Sequence, residues 1–561
     1  MRRSSVWRSI EQVVAEVPGG SCASCGAANA KFQCSGCSNV SYCSEDHRAD
    51  HWQKHKNACK SYKILHNEEV GRYVVAARNL KPGEEIWSEK PFVVGPKASS
   101  YPLCLGCYSP WPPAGPESLD RPLCSKCQWP VCGPDCEALP CHKDYECKVL
   151  AEAGEKFNVS AAVEGGNGNG VLQLDCVTPL RLLIASERDA ERWRIEVKNM
   201  EAHNLKRAEQ PAWKQNHVNI VEYLRSRCKL DSKFSEEDVH TACGILEVNS
   251  HEARTPLGYS ARALYPITAM LNHSCVSNTS HSISLEDYSV RVRTTTDVPR
   301  GAELYGSYTH SLQPTILRRE HLRESKHFDC ACRRCSDPTE LGTHMSSLKC
   351  NKCDNGIIVP LDSLDSDSTW KCTHCPFTTG SQAIRRVLSI IQAEIDAAEE
   401  VTGFADGGDA IQVRETVFRK YRSVLHPQHA FNTMLRYSLS QLYGRCEGYL
   451  LDDLPDVVLE HKVDICRMLL RVLDVVEPGY TRVRGMTLYE LHAPLLFLAK
   501  NLFHAGVIDN AGLKSKMIEA AEILKEAANI LTLEFPDTIE GQIGQVALQS
   551  LQQLNASIEE T

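Results

Sequence analysis

Metal-ligand spacing constrains this chain more than anything else in it. Residues 22–59 run Cys22-x2-Cys25, Cys34-x2-Cys37, Cys43-x3-His47 and His55-x3-Cys59. Eight thiolate or imidazole groups in 38 residues are what two tetrahedral zinc ions require. A segment that short cannot bury enough apolar surface to fold unaided, so metal binding has to supply the free energy. A disulfide-rich secreted knot is the competing reading. Histidines at ligand positions argue against it. So does the start, Met1-Arg2-Arg3-Ser4-Ser5-Val6-Trp7, which lacks the apolar run of a signal peptide.

The pattern recurs downstream. A second block holds Cys104-x2-Cys107, Cys124-x2-Cys127, Cys132-x3-Cys136 and His142-x4-Cys147, with Cys141 as a ninth candidate beside His142. Cys330-x-Cys332-x2-Cys335 gives three thiolates and leaves a zinc one ligand short. Cys350-x2-Cys353 and Cys372-x2-Cys375, eighteen residues apart, have zinc-ribbon spacing. A chain of 561 residues is several domains. Its net charge is −9 with 24% charged residues, so no domain-wide basic field exists and direct nucleic-acid binding is not expected. Lys54, Lys56, Lys60 and Lys63 read as a solvated face. No run of about 18 apolar residues occurs, so no membrane span is expected.

Between these blocks, Val70–Ala76 and Glu85–Trp87 read as strands flanking a turn at Lys81-Pro82-Gly83, and Phe92-Val93-Val94 continues the pattern. Glu164–Gly170 is a glycine-rich joint. Residues 171–246 read as helices, 247–310 as strands and turns, and the chain from Ser381 onward as helices. There Ile384, Val387, Leu388, Ile391 and Ile395 share one face, as do Met517, Ala521, Leu524 and Ala528. Helices of that length with short Gly/Pro breaks suggest a stacked array, though no clean 34-residue repeat is present.

The first block, with Tyr42-Cys43 and Trp52-Gln53-Lys54-His55, resembles a MYND finger. The resemblance implies interleaved ligation. One zinc would take Cys22, Cys25, Cys43 and His47, the other Cys34, Cys37, His55 and Cys59, with His47 standing where the family has cysteine. The second block repeats the order, and the family's histidine falls on His142 rather than Cys141. Three further patches resemble a SET domain: Gly71-Arg72-Tyr73, Asn272-His273-Ser274-Cys275-Val276-Ser277-Asn278, and Gly301–Thr309, which carries the family's catalytic tyrosine at Tyr308. MYND and SET with a helical C-terminal half is similar to the SMYD family, and the order of parts to its arthropod SmydA branch.

That resemblance implies a protein-lysine N-methyltransferase acting on histone or other proteins, with S-adenosylmethionine (SAM) as methyl donor and a role in transcriptional regulation. Tyr308 would be catalytic. Gly71, Arg72, Asn249, Asn272, His273, Tyr308 and Phe328 would bind the cofactor. Cys275 would complete the site of Cys330, Cys332 and Cys335. The tally becomes 21 cysteines with His47, His55 and His142, or 24 ligands for about six zinc ions. Cys141, Cys176, Cys228, Cys243, Cys446 and Cys466 are left as buried small hydrophobes. Taken alone, Tyr308 reads as a core or edge-strand aromatic, Phe328 as a packing residue and Asn249 as a turn asparagine. The partners implied are a substrate lysine and proline-containing peptides of transcriptional regulators at the MYND fingers. A monomer in nucleus and cytoplasm is expected.

The expected fold is α+β and multi-domain. It has an N-terminal helix or tail over 1–21, a MYND finger over 22–59 and a SET β-core over 62–309. A second MYND-like finger (104–147) and a helical insert (171–246) split that core. A post-SET segment follows over 310–335, a zinc ribbon over 345–380 and a helical, TPR-like domain over 381–561. Three residues depart from the family: Tyr73 replaces the second glycine of Gly-x-Gly, Ser277 a proline, and Lys326 a tyrosine often found lining the lysine channel. The alternative function is a weakly active or inactive SET scaffold serving as a MYND-based adaptor.

Overall fold

The structure, a computed structural model, describes residues 21–560 apart from 29, 35–36, 38–39, 57–58, 112–121, 160–171 and 403–407. The helix or tail expected over 1–21 (residue 21 apart) and the glycine-rich joint at 164–170 lie outside the described residues. The chain divides into two compact units.

The first unit holds the residues up to Lys81 together with Asp297–Leu304. Its finger is built on the helix Glu45–His55. Ser44 caps it, its Oγ accepting from the His47 N–H at 3.2 Å. Glu45 and Asp46 in the first turn and Lys54 and His55 in the last both match the helix dipole. After the finger, Tyr62–Asn67 and Gly71–Ala76 pair as an antiparallel hairpin. Asp297–Leu304 runs beside the second strand, with Gly301 N–H on the Ala76 carbonyl at 2.8 Å and Leu304 N–H on the Val74 carbonyl at 2.8 Å. The sequence reading missed Tyr62–Asn67 as the partner strand. Its apolar Ile64 and Leu65 are adjacent and both exposed, so it shows no inside–outside alternation. Gly71 opens its strand at φ +71°, and an added Cβ would meet nothing within 4 Å. The glycine therefore serves the left-handed backbone there rather than a close approach.

The second unit holds Pro82–Thr296 and Tyr305–Thr561. Glu85–Glu89, Val290–Thr294 and Thr279–Ile283 form one antiparallel sheet, with the middle strand central and a bulge at Val292/Arg293. Val93–Pro96, Ser260–Leu264 and His251–Arg254 form another. Asn272–His273 lies parallel to Tyr305–Gly306. The helices Val177–Arg188 and Glu236–Asn249 share a core with the second cysteine block, through Leu180, Leu183, Ile245 and Leu246 against Trp129 and Leu150. Ser235 and Asp238 close a capping box on the second of these helices.

Leu348–Lys349, Ile357–Pro360, Trp370–Cys372 and Thr378–Thr379 form a four-stranded antiparallel meander. It does not stand apart from the helices that follow, because Ile358 and Trp370 share a core with Ile384, Leu388 and Ile391. Helices Ser381–Thr402, Gly408–Tyr421, Ala430–Leu442, Asp456–Val476, Arg482–His504, Asn510–Leu531 and Ile539–Glu560 follow, each packed on the next. The array is tied to the sheets by Asp537, whose Oδ2 accepts from Ser284 Oγ (3.0 Å), Leu285 N (2.7 Å) and Glu286 N (3.0 Å). Among the described residues, no helix is long and apolar enough to cross a membrane.

Candidate zinc centres and methyl-transfer site

The cysteines and histidines converge in fours. Cys22, Cys25, Cys43 and His47 meet at one point, and Cys34, Cys37, His55 and Cys59 at a second. Cys104, Cys107, Cys132 and Cys136 form a third, and Cys124, Cys127, His142 and Cys147 a fourth. Cys275 joins Cys330, Cys332 and Cys335. In the ribbon, Cys350 lies 3.7 Å from Cys375 and Cys353 3.7 Å from Cys372. With Zn–S bonds of about 2.3 Å, tetrahedral geometry puts ligand sulfurs about 3.8 Å apart. Sγ–Sγ separations of 3.6 Å (Cys25–Cys43), 3.5 Å (Cys34–Cys59), 3.6 Å (Cys107–Cys132) and 3.5 Å (Cys275–Cys335) fit that edge. The donor sets suit zinc. In the first finger one short helix supplies His47 to one centre and His55 to the other.

The second finger has a supporting shell that spacing could not reveal. His142 turns Nδ1 to Glu146 Oε1 at 2.7 Å, so Nε2 is left for the metal, 3.7 Å from Cys127 Sγ. Glu146 is gripped by Arg181 through two bonds, Nε–Oε2 at 2.7 Å and Nη2–Oε1 at 2.6 Å. Arg181 also donates to the carbonyls of Val94 and Leu105 and to the Tyr108 hydroxyl. His142, Glu146 and Arg181 are all fully buried. Cys141 turns away and donates to the Gly106 carbonyl at 3.2 Å. Of the leftover cysteines, Cys176, Cys228, Cys243 and Cys466 are buried. Cys141 and Cys446 correct the expectation, being only half-buried.

The Asn272–Cys275 segment meets the tyrosine segment as the resemblance implies, but His273 does other work. Its Nδ1 accepts from the Tyr308 backbone N–H at 2.9 Å, which places the ring proton on Nε2. Nε2 faces Cys275 Sγ at 3.2 Å. Both ring nitrogens are therefore committed inside the protein, and the imidazole offers a cofactor no polar atom. Any contact of His273 with a cofactor would then fall to its main chain. His273 instead joins the tyrosine segment to the thiolate centre. The Tyr308 hydroxyl donates to the Leu271 carbonyl. Its ring lies 5.2 Å from the His273 ring and meets Phe328 edge-on at 6.4 Å. Phe328 keeps 36% of its surface exposed, so one ring face stays open.

The helix Thr315–Lys326 packs over the four thiolates. Arg318, fully buried, points Nε at Cys275 Sγ (3.4 Å) and Nη2 at Cys335 Sγ (3.6 Å). Four thiolates on one divalent ion carry net negative charge, which a buried guanidinium offsets. Arg318 and Arg334 both reach Glu340, at 2.9 and 2.8 Å. Burial pushes the Glu340 carboxyl up, but the two arginines outweigh it and hold it at about 2. Glu340 and Leu341 sit at φ +51° and +61°, a left-handed turn that costs about 1 kcal/mol or more per residue, so the ion pairs hold it in place.

Asn249 ends its helix with Nδ2 donating to the carbonyls of Glu201 (2.9 Å) and Ile245 (3.0 Å). Its amide hydrogens are thus spent on the fold, and Oδ1 is the side-chain atom left for a ligand. Asn272 is half-buried beside His273. Gly71 and Arg72 belong to the first unit, where Arg72 pairs with His66 across the hairpin.

Known families carry the same pieces. The MYND finger family matches residues 22–59 and the SET domain family residues 174–309. A SET domain joined to a MYND finger is the combination that defines the SMYD class, and the chain is similar to that class. Within that class it is similar to the SET domain-containing protein SmydA-8, isoform A, of Drosophila melanogaster, with 31% identity over 54% of this chain and 63% of that protein. The chain thus spans just under two thirds of that relative's length. The histone-lysine N-methyltransferase ASHR1 of Arabidopsis thaliana is 25% identical over 75% of this chain and 83% of its own. The N-lysine methyltransferase SMYD2 of Gallus gallus is 27% identical over 47% and 58%. A solved structure, the SET domain of LSMT bound to lysine and AdoHcy, pairs with 91% of this chain at 12% identity and a TM-score of 0.28, too low to establish a shared overall arrangement.

Proposed function

We propose that this chain is a SAM-dependent protein-lysine N-methyltransferase. The observation that carries the reading is the His273 bridge, which fixes Tyr308 against the thiolate centre and beside the open ring of Phe328. When bound, SAM supplies a methyl group already activated on its sulfonium. Phe328 would stack on the adenine, and Asn272 and the main chain beside it would hold the amino-acid end. Tyr308 is the positioning and electrostatic element. Its proton is committed to the Leu271 carbonyl, so its oxygen presents lone pairs toward an arriving amine. The substrate ammonium loses its proton to water. Cys275, Cys330, Cys332 and Cys335 would hold a zinc ion whose work is structural, keeping the segment from Asp329 to Cys335, and so Phe328, in place.

Histones or other proteins are the substrates, and transcriptional regulation in nucleus and cytoplasm is the setting. The relatives named as lysine methyltransferases support this reading. The first finger exposes Phe32 and Trp52, aromatic surface suited to a proline-containing peptide. The C-terminal helices, taken as TPR-like pairs, would offer a further protein-binding face on a monomer. The direct test is methyl transfer from labelled SAM to histones and to a mixed protein pool. Wild-type protein should label at least one acceptor, and Tyr308→Phe should lose about 100-fold or more, the scale for removing one oriented polar group. Equal labelling by both proteins would overturn the assignment of Tyr308.

A further inference from the structure

Lys326 is the last residue of the helix Thr315–Lys326, and its amine lies beside the Tyr308 ring. His327 follows at φ +60°, a left-handed residue that turns the chain sharply. Phe328 comes back against Tyr308, and the Lys326 ammonium lies beside the same ring. Its Nζ lies 5.6 Å from the centre of the Tyr308 ring and donates to the Val248 carbonyl.

A withdrawn lysine normally keeps a carboxylate. Lys462, buried in the helical array, has Glu490 at 2.8 Å. Among the described residues no carboxylate pairs with Lys326. Burial alone pushes its ammonium down to about 8. The imidazole of His251, on the neighbouring strand, feels Lys326 and supplies no counter-charge, because burial holds it neutral with its pKa near 3. The amine is thus desolvated, unpaired by any acid, and set beside an aromatic ring that favours a methylated ammonium as well as a plain one.

We propose that Lys326 is a methyl acceptor of its own active site, modified within the same molecule. This rests on the methyltransferase reading above. The step balances simply. The ammonium gives a proton to water, and the Nζ lone pair forms an N–C bond to the methyl carbon of SAM. The S–C bond breaks with its electron pair going to sulfur, leaving S-adenosylhomocysteine and methyl-lysine.

The test incubates full-length, zinc-loaded protein with methyl-deuterated SAM and reads the segment carrying Lys326 by peptide mass spectrometry. Calorimetry reports SAM binding in parallel. The expected result is deuteromethyl on Lys326 at a rate independent of protein concentration, lost in Tyr308→Phe. SAM bound with Lys326 unlabelled overturns the inference, whether or not other lysines carry label. So does labelling whose rate scales with protein concentration, since that is transfer between molecules. No SAM binding by folded, zinc-loaded protein overturns the methyltransferase reading itself. Lys326→Arg checks the assignment: it should lose the label from this segment while still binding SAM.

Discussion

The two fingers use the same ligand order for different ends. In the first, the thiolates and imidazoles are most of the core: Cys22, Cys34, Cys37 and Tyr42 pack on Ala30 and little else, and Trp52 is 45% exposed. In the second, Cys104, Cys124, Cys127 and Cys147 belong to a core that includes Trp129, Leu180 and Ile245 from the helical insert. Its histidine is locked by Glu146 and Arg181, all three fully buried. The first finger is a surface held up by metal; the second is a wedge sharing one core with a sheet, through Val93 and Leu264, and with the helical insert. One sequence signature thus covers two roles, and burial separates them.

That contrast can be broken most severely at the metal itself. Cys124→Ser should remove a zinc and lower the unfolding temperature of the whole second unit, because its cluster is part of the main core. Cys34→Ser should remove a zinc and leave the principal unfolding transition in place. Metal content and calorimetric unfolding read both, and equal effects would erase the distinction. Next in size is Glu146→Ala. It strands Arg181 in the interior without a counter-charge and should cost about 3–5 kcal/mol in denaturant unfolding. Among the described residues of the first finger no buried ion pair of this kind occurs.

A smaller, graded effect comes from Lys326. Its folded pKa, about 8, lies below the ordinary 10.5, so the neutral amine is scarce below pH 8. Labelling of Lys326 should rise about tenfold per pH unit up to about pH 8 and then level. The groups facing it are His251, already neutral, His321 on its own helix, whose pKa burial lowers, and Tyr308. A flat profile between pH 6 and 8 would remove deprotonation of Lys326 as the limiting requirement. Ser44→Ala, at the cap of the first finger's helix, should cost only about 1 kcal/mol, read as weaker zinc retention against a chelator.

What the sequence made legible was local. Ligands two to four residues apart announce themselves, and the Asn-His-Ser-Cys string marks its segment whatever surrounds it. What stayed hidden joins distant residues. Glu146 and Arg181 are 35 apart and read as ordinary helix charges until folding buries both. The Glu340 anchor of Arg318 and Arg334 is of the same kind. The part played by His273 depends on which nitrogen carries the proton, and Tyr308, 35 residues on, decides that. Lys326 was visible as a departure from the family, but only folding shows its amine beside the Tyr308 ring and on the Val248 carbonyl.

Titration calorimetry of SAM into the purified, zinc-loaded chain tests the central claim most directly. Saturable one-site binding, retained in Tyr308→Phe and lost when the Cys275 centre is dismantled by Cys332→Ser, is the predicted result. Absence of binding heat at every temperature tried, with the protein folded and its zinc complement intact, would contradict it and leave a SET scaffold without its chemistry.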